Sequence, residues 1–179
     1  MSVSLEVDGS VFTFPAGWEV EKVDTWPEQA SLTKPPFTAK ACDFVAMQGD
    51  TLWLVEAKDY TYPGSSPPQD LPKTVALKVF HTLATLSVIA RWGTGGRRSF
   101  SARTLQVPDV KVCLAVELKD GGRKLIAIET VLTTLQQQLK RTLRAFGPVR
   151  PVVSNSHRMG PVPWEVSRDP STRIRHQDR

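Results

Sequence analysis

The chain has 179 residues, of which 40% are hydrophobic, and this suits one domain with a hydrophobic core better than two domains. It contains no apolar run of membrane-spanning length, and its N-terminus lacks the charged-then-apolar order of a secretory signal. We therefore expect a cytoplasmic protein without a membrane partner. The formal net charge of +5 favours polyanionic partners such as nucleic acid. Cys42 and Cys113 lie in apolar runs without zinc-ligand spacing, which predicts buried thiols.

The first half of the chain predicts two hairpins separated by an irregular segment. The first fourteen residues alternate around Asp8-Gly9 and predict an opening hairpin. Residues 17–40 are rich in tryptophan and proline, and they predict one short helix around 26–32. Residues 41–60 carry two apolar runs around Gly49-Asp50 and predict a second hairpin. Because both faces of these runs are apolar, we expect this hairpin at the centre of a sheet that is covered on both sides.

The second half predicts alternating helices and strands. Apolar residues recur at three-to-four spacing over 75–92, which predicts a helix that ends at Gly93. The segment 93–103, GTGGRRSFSAR, is expected to be a flexible basic loop. A strand over 110–119, an amphipathic helix over 128–146 and a strand over 149–154 follow. This order predicts an α/β fold with a mixed sheet for residues 1–155, and the aperiodic residues 156–179 are expected to form a flexible or docking tail.

The second hairpin carries two acidic residues that its turn would bring face to face. If Gln48 pairs with Thr51 across a two-residue turn, Asp43 lies opposite Glu56. Lys58 projects from the same face as Glu56, because side chains alternate along a strand. Two close carboxylates repel each other and are costly to desolvate, so they need a cation, and hard divalent ions such as Mg²⁺ choose oxygen ligands. A metal there could activate water for phosphodiester cleavage; the alternative is a structural ion cluster.

Asp43 is followed, after twelve intervening residues, by Glu56-Ala57-Lys58. This pattern resembles the D-(x)n-(D/E)-x-K signature of PD-(D/E)XK nucleases. The element order over about residues 20–155 is also similar to the core of that superfamily. The resemblance implies a restriction-endonuclease-like mixed central sheet flanked by helices, and a metal-dependent nuclease. It also implies that Asp43 and Glu56 bind Mg²⁺, for which Mn²⁺ substitutes, and that Lys58 is the catalytic lysine.

The chain departs from this signature in two places. Cys42 stands where the signature has proline. A further acidic ligand is often supplied by the helix before the hairpin, and Glu28 is its best match here, with Asp24 the next. A second copy of the letters, Asp109 with Glu117-Leu118-Lys119, would lie along one continuous strand. Its two acids would then be separated by roughly 26 Å and could not share a metal.

Several basic residues are candidates for contact with nucleic acid. Lys78 and His81 share one face of the helix over 75–92, although a solvated helix face is the plainer interpretation. Arg97, Arg98 and Arg103 belong to the glycine-rich segment and are candidates for gripping a phosphate backbone. The expected partner is DNA, and an RNA substrate, a homodimer and a partner protein stay open. A non-catalytic nucleic-acid-binding or assembly subunit on the same fold is the alternative function.

Overall fold

A computed structural model describes residues 2–119 and 125–168. Its elements in chain order are β1 Val3–Val7, β2 Ser10–Phe14, β3 Glu19–Glu21, α1 Pro27–Leu32, β4 Phe44–Gln48, β5 Thr51–Tyr60, α2 Leu71–Trp92, α3 Gly95–Thr104, β6 Asp109–Leu118, α4 Leu125–Leu143, β7 Arg150–Ser154 and β8 Glu165–Arg168. Short 3-10 turns at Val23–Thr25 and Arg144–Phe146 precede α1 and follow α4. The predicted α/β class with a mixed sheet is confirmed.

The central sheet has five strands in the order β3-β4-β5-β6-β7. Its first three strands are antiparallel, and β5, β6 and β7 run parallel. The predicted hairpin register is confirmed, because Gln48 pairs with Thr51 and Phe44 pairs with Val55. Gly49, the first turn residue, has a φ of 53°, which glycine adopts without steric cost. A second, antiparallel sheet has the order β1-β2-β8, and it contains the predicted opening hairpin.

Two hydrophobic cores lie on opposite faces of the central sheet. One face packs against the helices, through residues such as Leu54 of β5, Val79 of α2 and Leu139 of α4. The other face packs against the three-stranded sheet, through residues such as Trp53 of β5 and Phe14 of β2. Leu54 and Trp53 are neighbours in sequence and serve different cores because side chains alternate along β5. The hairpin is therefore covered on both sides, as predicted from the apolar residues on both faces of its strands.

The two cysteines are buried and free, as expected. Cys42 lies in the helix-side core and Cys113 lies in the core between the sheets. Burial raises the pKa of each thiol to about 12, so both thiols stay protonated near neutral pH.

Helix α2 begins four residues earlier than predicted and ends before Gly93, as expected. Among the described residues it is the one helix long and apolar enough, by length and composition, to cross a membrane. The core helix of a soluble protein passes the same test. Val75, Leu86 and Ile89 of α2 are completely buried in the helix-side core.

The prediction of a flexible loop over 93–103 is wrong, because Gly95–Thr104 forms the helix α3. Gly95 and Gly96 disfavour a helix by propensity, and Arg97 and Arg98 place positive charge in its first turn, against the helix dipole. Tertiary packing compensates for this, since Phe100 is buried with its ring 6.1 Å from the ring of Trp26. The arginines of this segment therefore project from a helix that packs beside α2.

Of the two forms predicted for the tail from residue 156, flexible or docking, the flexible one is wrong as far as Arg168, because this part is docked on the domain. Strand β8 pairs with β2, and Trp164 just before it is buried in the core between the sheets. The Trp164 ring centroid lies 5.1 Å from that of Trp53 and 5.2 Å from that of Phe14. The remaining part of the predicted tail, 169–179, lies outside the described residues.

Candidate active site

The backbone pairing of the hairpin begins at Phe44, one residue after Asp43, and the side chain of Asp43 extends the contact between the two strands. The last backbone pair joins Phe44 to Val55. Beyond that pair, Asp43 Oδ2 accepts a hydrogen bond from the backbone N of Ala57 at 2.7 Å. This bond ties Asp43 to β5 beside Glu56, which is where the hairpin register predicts it.

Glu56 and Lys58 lie on the helix-facing side of β5. Lys58 Nζ lies 2.7 Å from Glu56 Oε1 and 4.0 Å from Asp43 Oδ2. Glu56 is 1% exposed, whereas the Lys58 side chain is 27% exposed. The three residues predicted to form the site are thus brought together, with the buried acid beneath and the lysine reaching solvent.

Lys78 of α2 completes the cluster. Its Nζ lies 2.6 Å from Glu56 Oε1 and 3.5 Å from Asp43 Oδ1. The sequence predicts Lys78 as a contact for nucleic acid, and in the structure its ammonium group contacts both carboxylates. This position follows from the packing of α2 on the sheet, which a pattern within the helix does not reveal.

A buried hydroxyl fixes Lys78 relative to the hairpin. Thr82 donates a hydrogen bond of 2.7 Å to the carbonyl of Lys78 and accepts one of 2.8 Å from the backbone N of Cys42. Cys42 directly precedes Asp43. One side chain therefore connects the backbone of the helix lysine to the backbone of the first acid.

The pKa values of Glu56 and Lys58 are both raised in this cluster, for different reasons. The pKa of Glu56 is raised, because burial removes water from its carboxylate and Asp43 repels it, and the two nearby ammonium groups do not fully compensate. Burial lowers the pKa of Lys58, but its attraction to Glu56 and Asp43 outweighs this, so the pKa is raised. The sequence predicted that the two acids need a cation, and Lys58 and Lys78 supply two.

The donor atoms fit a divalent metal only in part. Glu56 Oε2 is buried and has no hydrogen-bond partner within the described residues, which leaves a hard oxygen donor available. Asp43 Oδ1 is the second available donor. Across 2–119 and 125–168, however, no group of three or more histidine, cysteine, aspartate or glutamate side chains is placed to hold a metal. The oxygen chemistry suits Mg²⁺, and the Lys78 ammonium would have to move.

The structure distinguishes between Glu28 and Asp24, the two candidates for a third acidic ligand. Glu28 Oε1 lies 3.4 Å from Arg97 Nε, and no contact in the described part of the chain joins it to the cluster. Asp24 is electrostatically coupled to the site: its pKa is raised by partial desolvation and by the nearby Asp43. Asp24, the next match after Glu28 in the sequence, is therefore the acid whose charge interacts with that of Asp43.

The predicted nucleic-acid contacts other than Lys78 are engaged elsewhere. Arg103 pairs with both carboxylate oxygens of Glu19, at 2.5 and 2.6 Å. Glu19 pairs with Met47, which pairs with Leu52, so this contact is two strands away from β5 and about 13 Å from Glu56 along the strand direction. Arg98 Nε donates to the carbonyl of Ala90.

His81 lies one turn along α2 from Lys78. Its Nδ1 accepts a hydrogen bond of 3.1 Å from the backbone N of Lys40. This ring nitrogen is therefore used to anchor the segment that leads into the hairpin.

Comparison with known proteins leaves the family open. No family model matches the chain, and no solved structure matches it. The cysteine--tRNA ligase of Neisseria meningitidis serogroup A is 30% identical over 145 residues, which cover 70% of this chain and 21% of the ligase. The chain thus spans about a fifth of the curated relative that it matches.

Proposed function

We propose that the chain is a metal-dependent nuclease of the PD-(D/E)XK type, with a restriction-endonuclease-like fold, that hydrolyses phosphodiester bonds in DNA. The proposal rests on the convergence of Asp43, Glu56 and Lys58 on one face of the β4–β5 hairpin. Two carboxylates, one on β5 and one directly before β4, supply oxygen donors, and the lysine supplies a positive charge at the solvent side. A mixed sheet with helices on one face supports the fold assignment.

Each residue has a distinct role in this proposal. Glu56 and Asp43 hold Mg²⁺ or Mn²⁺, which when bound would supply an activated water and neutralise charge on the phosphate. Lys58 donates hydrogen bonds to the attacking water or to a phosphate oxygen. Its pKa is raised above the ordinary value of 10.5, so its ammonium is a donor rather than a proton acceptor.

DNA is the first substrate to test, and RNA is the second. The Neisseria relative is named as a tRNA ligase, so tRNA belongs among the RNA substrates. The proposal includes a cytoplasmic location, action in restriction, repair or defence against mobile elements, and either a homodimer or a partner protein that provides specificity.

The test is cleavage by the purified chain in the presence of Mg²⁺ or Mn²⁺. Supercoiled plasmid, single-stranded DNA, RNA and tRNA are incubated with wild type, Lys58→Ala and Lys119→Ala. We expect cleavage to fall by roughly 100-fold or more in Lys58→Ala, because a group that stabilises the transition state is lost. Lys119 is exposed and belongs to the second copy of the signature letters, so Lys119→Ala should cleave normally. Equal cleavage by all three proteins would indicate a contaminant or a different site.

A non-catalytic nucleic-acid-binding or assembly subunit is the second candidate. The observation in its favour is that two ammonium groups balance two carboxylates, so the cluster can be stable without a metal. Titration of Mn²⁺ with a thermal-shift readout separates the two functions. A nuclease should be stabilised by Mn²⁺, and Glu56→Gln should abolish that stabilisation. No shift with Mn²⁺ in wild type, either alone or with added DNA, would favour the subunit.

A further inference from the structure

We propose that Lys78 opposes metal binding at the Asp43–Glu56 pair, and that a divalent cation must displace its ammonium group. This inference rests on the proposed metal-dependent function and adds a form of regulation to it. It assigns to Lys78 a role different from that of Lys58, which reaches the same acids from β5.

The ammonium of Lys78 lies between the two acids. Its Nζ is 2.6 Å from Glu56 Oε1 and 3.5 Å from Asp43 Oδ1, closer to both acids than Lys58 Nζ, which is 2.7 and 4.0 Å away. Mg²⁺ takes oxygen ligands at about 2.1 Å. Whichever Glu56 oxygen held the ion, Asp43 Oδ1 would have to exchange its contact with the Lys78 ammonium for a contact with the ion.

Charge repulsion disfavours the binding of a divalent cation in the absence of nucleic acid. Asp43 and Glu56 contribute two negative charges, and Lys58 and Lys78 contribute two positive ones. The charges of these four groups balance, with Asp24 as a further negative charge nearby, so an added divalent cation would face two ammonium groups in a partly buried site. Like charges at such distances repel strongly, because the protein interior screens them less than water does.

A phosphodiester would change this balance. It brings a negative charge to the solvent side of the site, where a displaced Lys78 side chain could bind it. Lys78 is 16% exposed and lies at the rim of the cluster, so its long side chain has solvent on one side. Metal and nucleic acid should therefore bind cooperatively, and the metal alone should bind weakly.

The experiment measures Mn²⁺ affinity by calorimetry without nucleic acid. We compare wild type, Lys78→Met and the matched control Lys73→Met, which changes an exposed lysine on the same helix. Lys78→Met should bind Mn²⁺ about tenfold more tightly or better, because one repelling charge is removed. Lys73→Met should match wild type. Lys78→Gln, whose amide can donate a hydrogen bond to Glu56, replaces Lys78→Met if the methionine variant does not fold.

The outcomes separate this inference from the proposed function. If wild type binds Mn²⁺ and neither Lys78 variant binds it more tightly, the role of Lys78 is refuted and the nuclease proposal stands. If no protein in the series binds Mn²⁺, the metal site itself is refuted, and this inference with it. The double variant Glu56→Gln/Lys78→Met must show no gain. A gain there would locate the metal elsewhere and overturn the inference.

Discussion

Asp43 contacts Ala57 and Lys78 through different oxygen atoms. Its Oδ2 accepts the backbone N–H of Ala57 at 2.7 Å, and its Oδ1 lies 3.5 Å from Lys78 Nζ. The first contact stabilises the hairpin, and the second belongs to the charged cluster. The structural and chemical contributions of this residue can therefore be separated by substitution.

We expect Asp43→Asn and Asp43→Ala both to reduce cleavage by roughly 100-fold or more, since each removes a charged oxygen ligand. Their stabilities should differ. Asparagine can still accept the Ala57 N–H, whereas alanine leaves this buried donor unpaired at a cost of about 1–3 kcal/mol. Urea denaturation measures the difference. Equal stability of the two variants would contradict a structural role for the hydrogen bond.

Asp24 and Glu28 form a matched pair for a test of the third acidic position. We expect Asp24→Asn to weaken Mn²⁺ binding, because Asp24 is coupled electrostatically to Asp43. Glu28→Gln should leave Mn²⁺ binding unchanged, because Glu28 lies against Arg97. Calorimetric titration of both variants measures the effect, and weaker binding in Glu28→Gln alone would reverse the assignment.

The C-terminal segment through Arg168 should be essential for stability. Trp164→Ala removes a side chain that is 3% exposed, and we expect a loss of about 3–5 kcal/mol in the free energy of unfolding. Trp92 is 74% exposed, so Trp92→Ala should change stability by about 0.5 kcal/mol or less. Chemical denaturation followed by circular dichroism measures both. Similar stabilities would show that the segment is dispensable.

Asp59 should contribute to stability in a pH-dependent manner. Burial raises its pKa, but hydrogen bonds from Thr61 and Arg168 outweigh this, so the pKa lies below its ordinary value of 3.8. A depressed carboxyl pKa stabilises the fold above the unfolded value, and that stabilisation is lost as the pH falls through the folded value.

Asp59→Asn should therefore lose about 1–3 kcal/mol at pH 7 and little in strong acid. Urea denaturation across the pH range measures this difference, with Asp70→Asn, an exposed position before α2, as the control. A loss of the same size at every pH would contradict the pKa assignment.

The local sequence determined the hairpin and its acidic pair. Gly49-Asp50 allows a two-residue turn, and the alternation along β5 then places Glu56 and Lys58 on one face. These features depend on neighbouring residues, so periodicity and turn chemistry were sufficient to predict them. The same holds for α2, α4 and the parallel strands, which have strong apolar patterns.

Only the tertiary structure decided the partners of this hairpin. Lys78 reaches Glu56 because α2 packs over the sheet, and no local pattern encodes that approach. Helix α3 forms despite weak propensity because Phe100 packs on Trp26, and β8 forms because Trp164 enters a core built by β2 and β5. In each case contacts between distant segments outweigh the local preference of the chain.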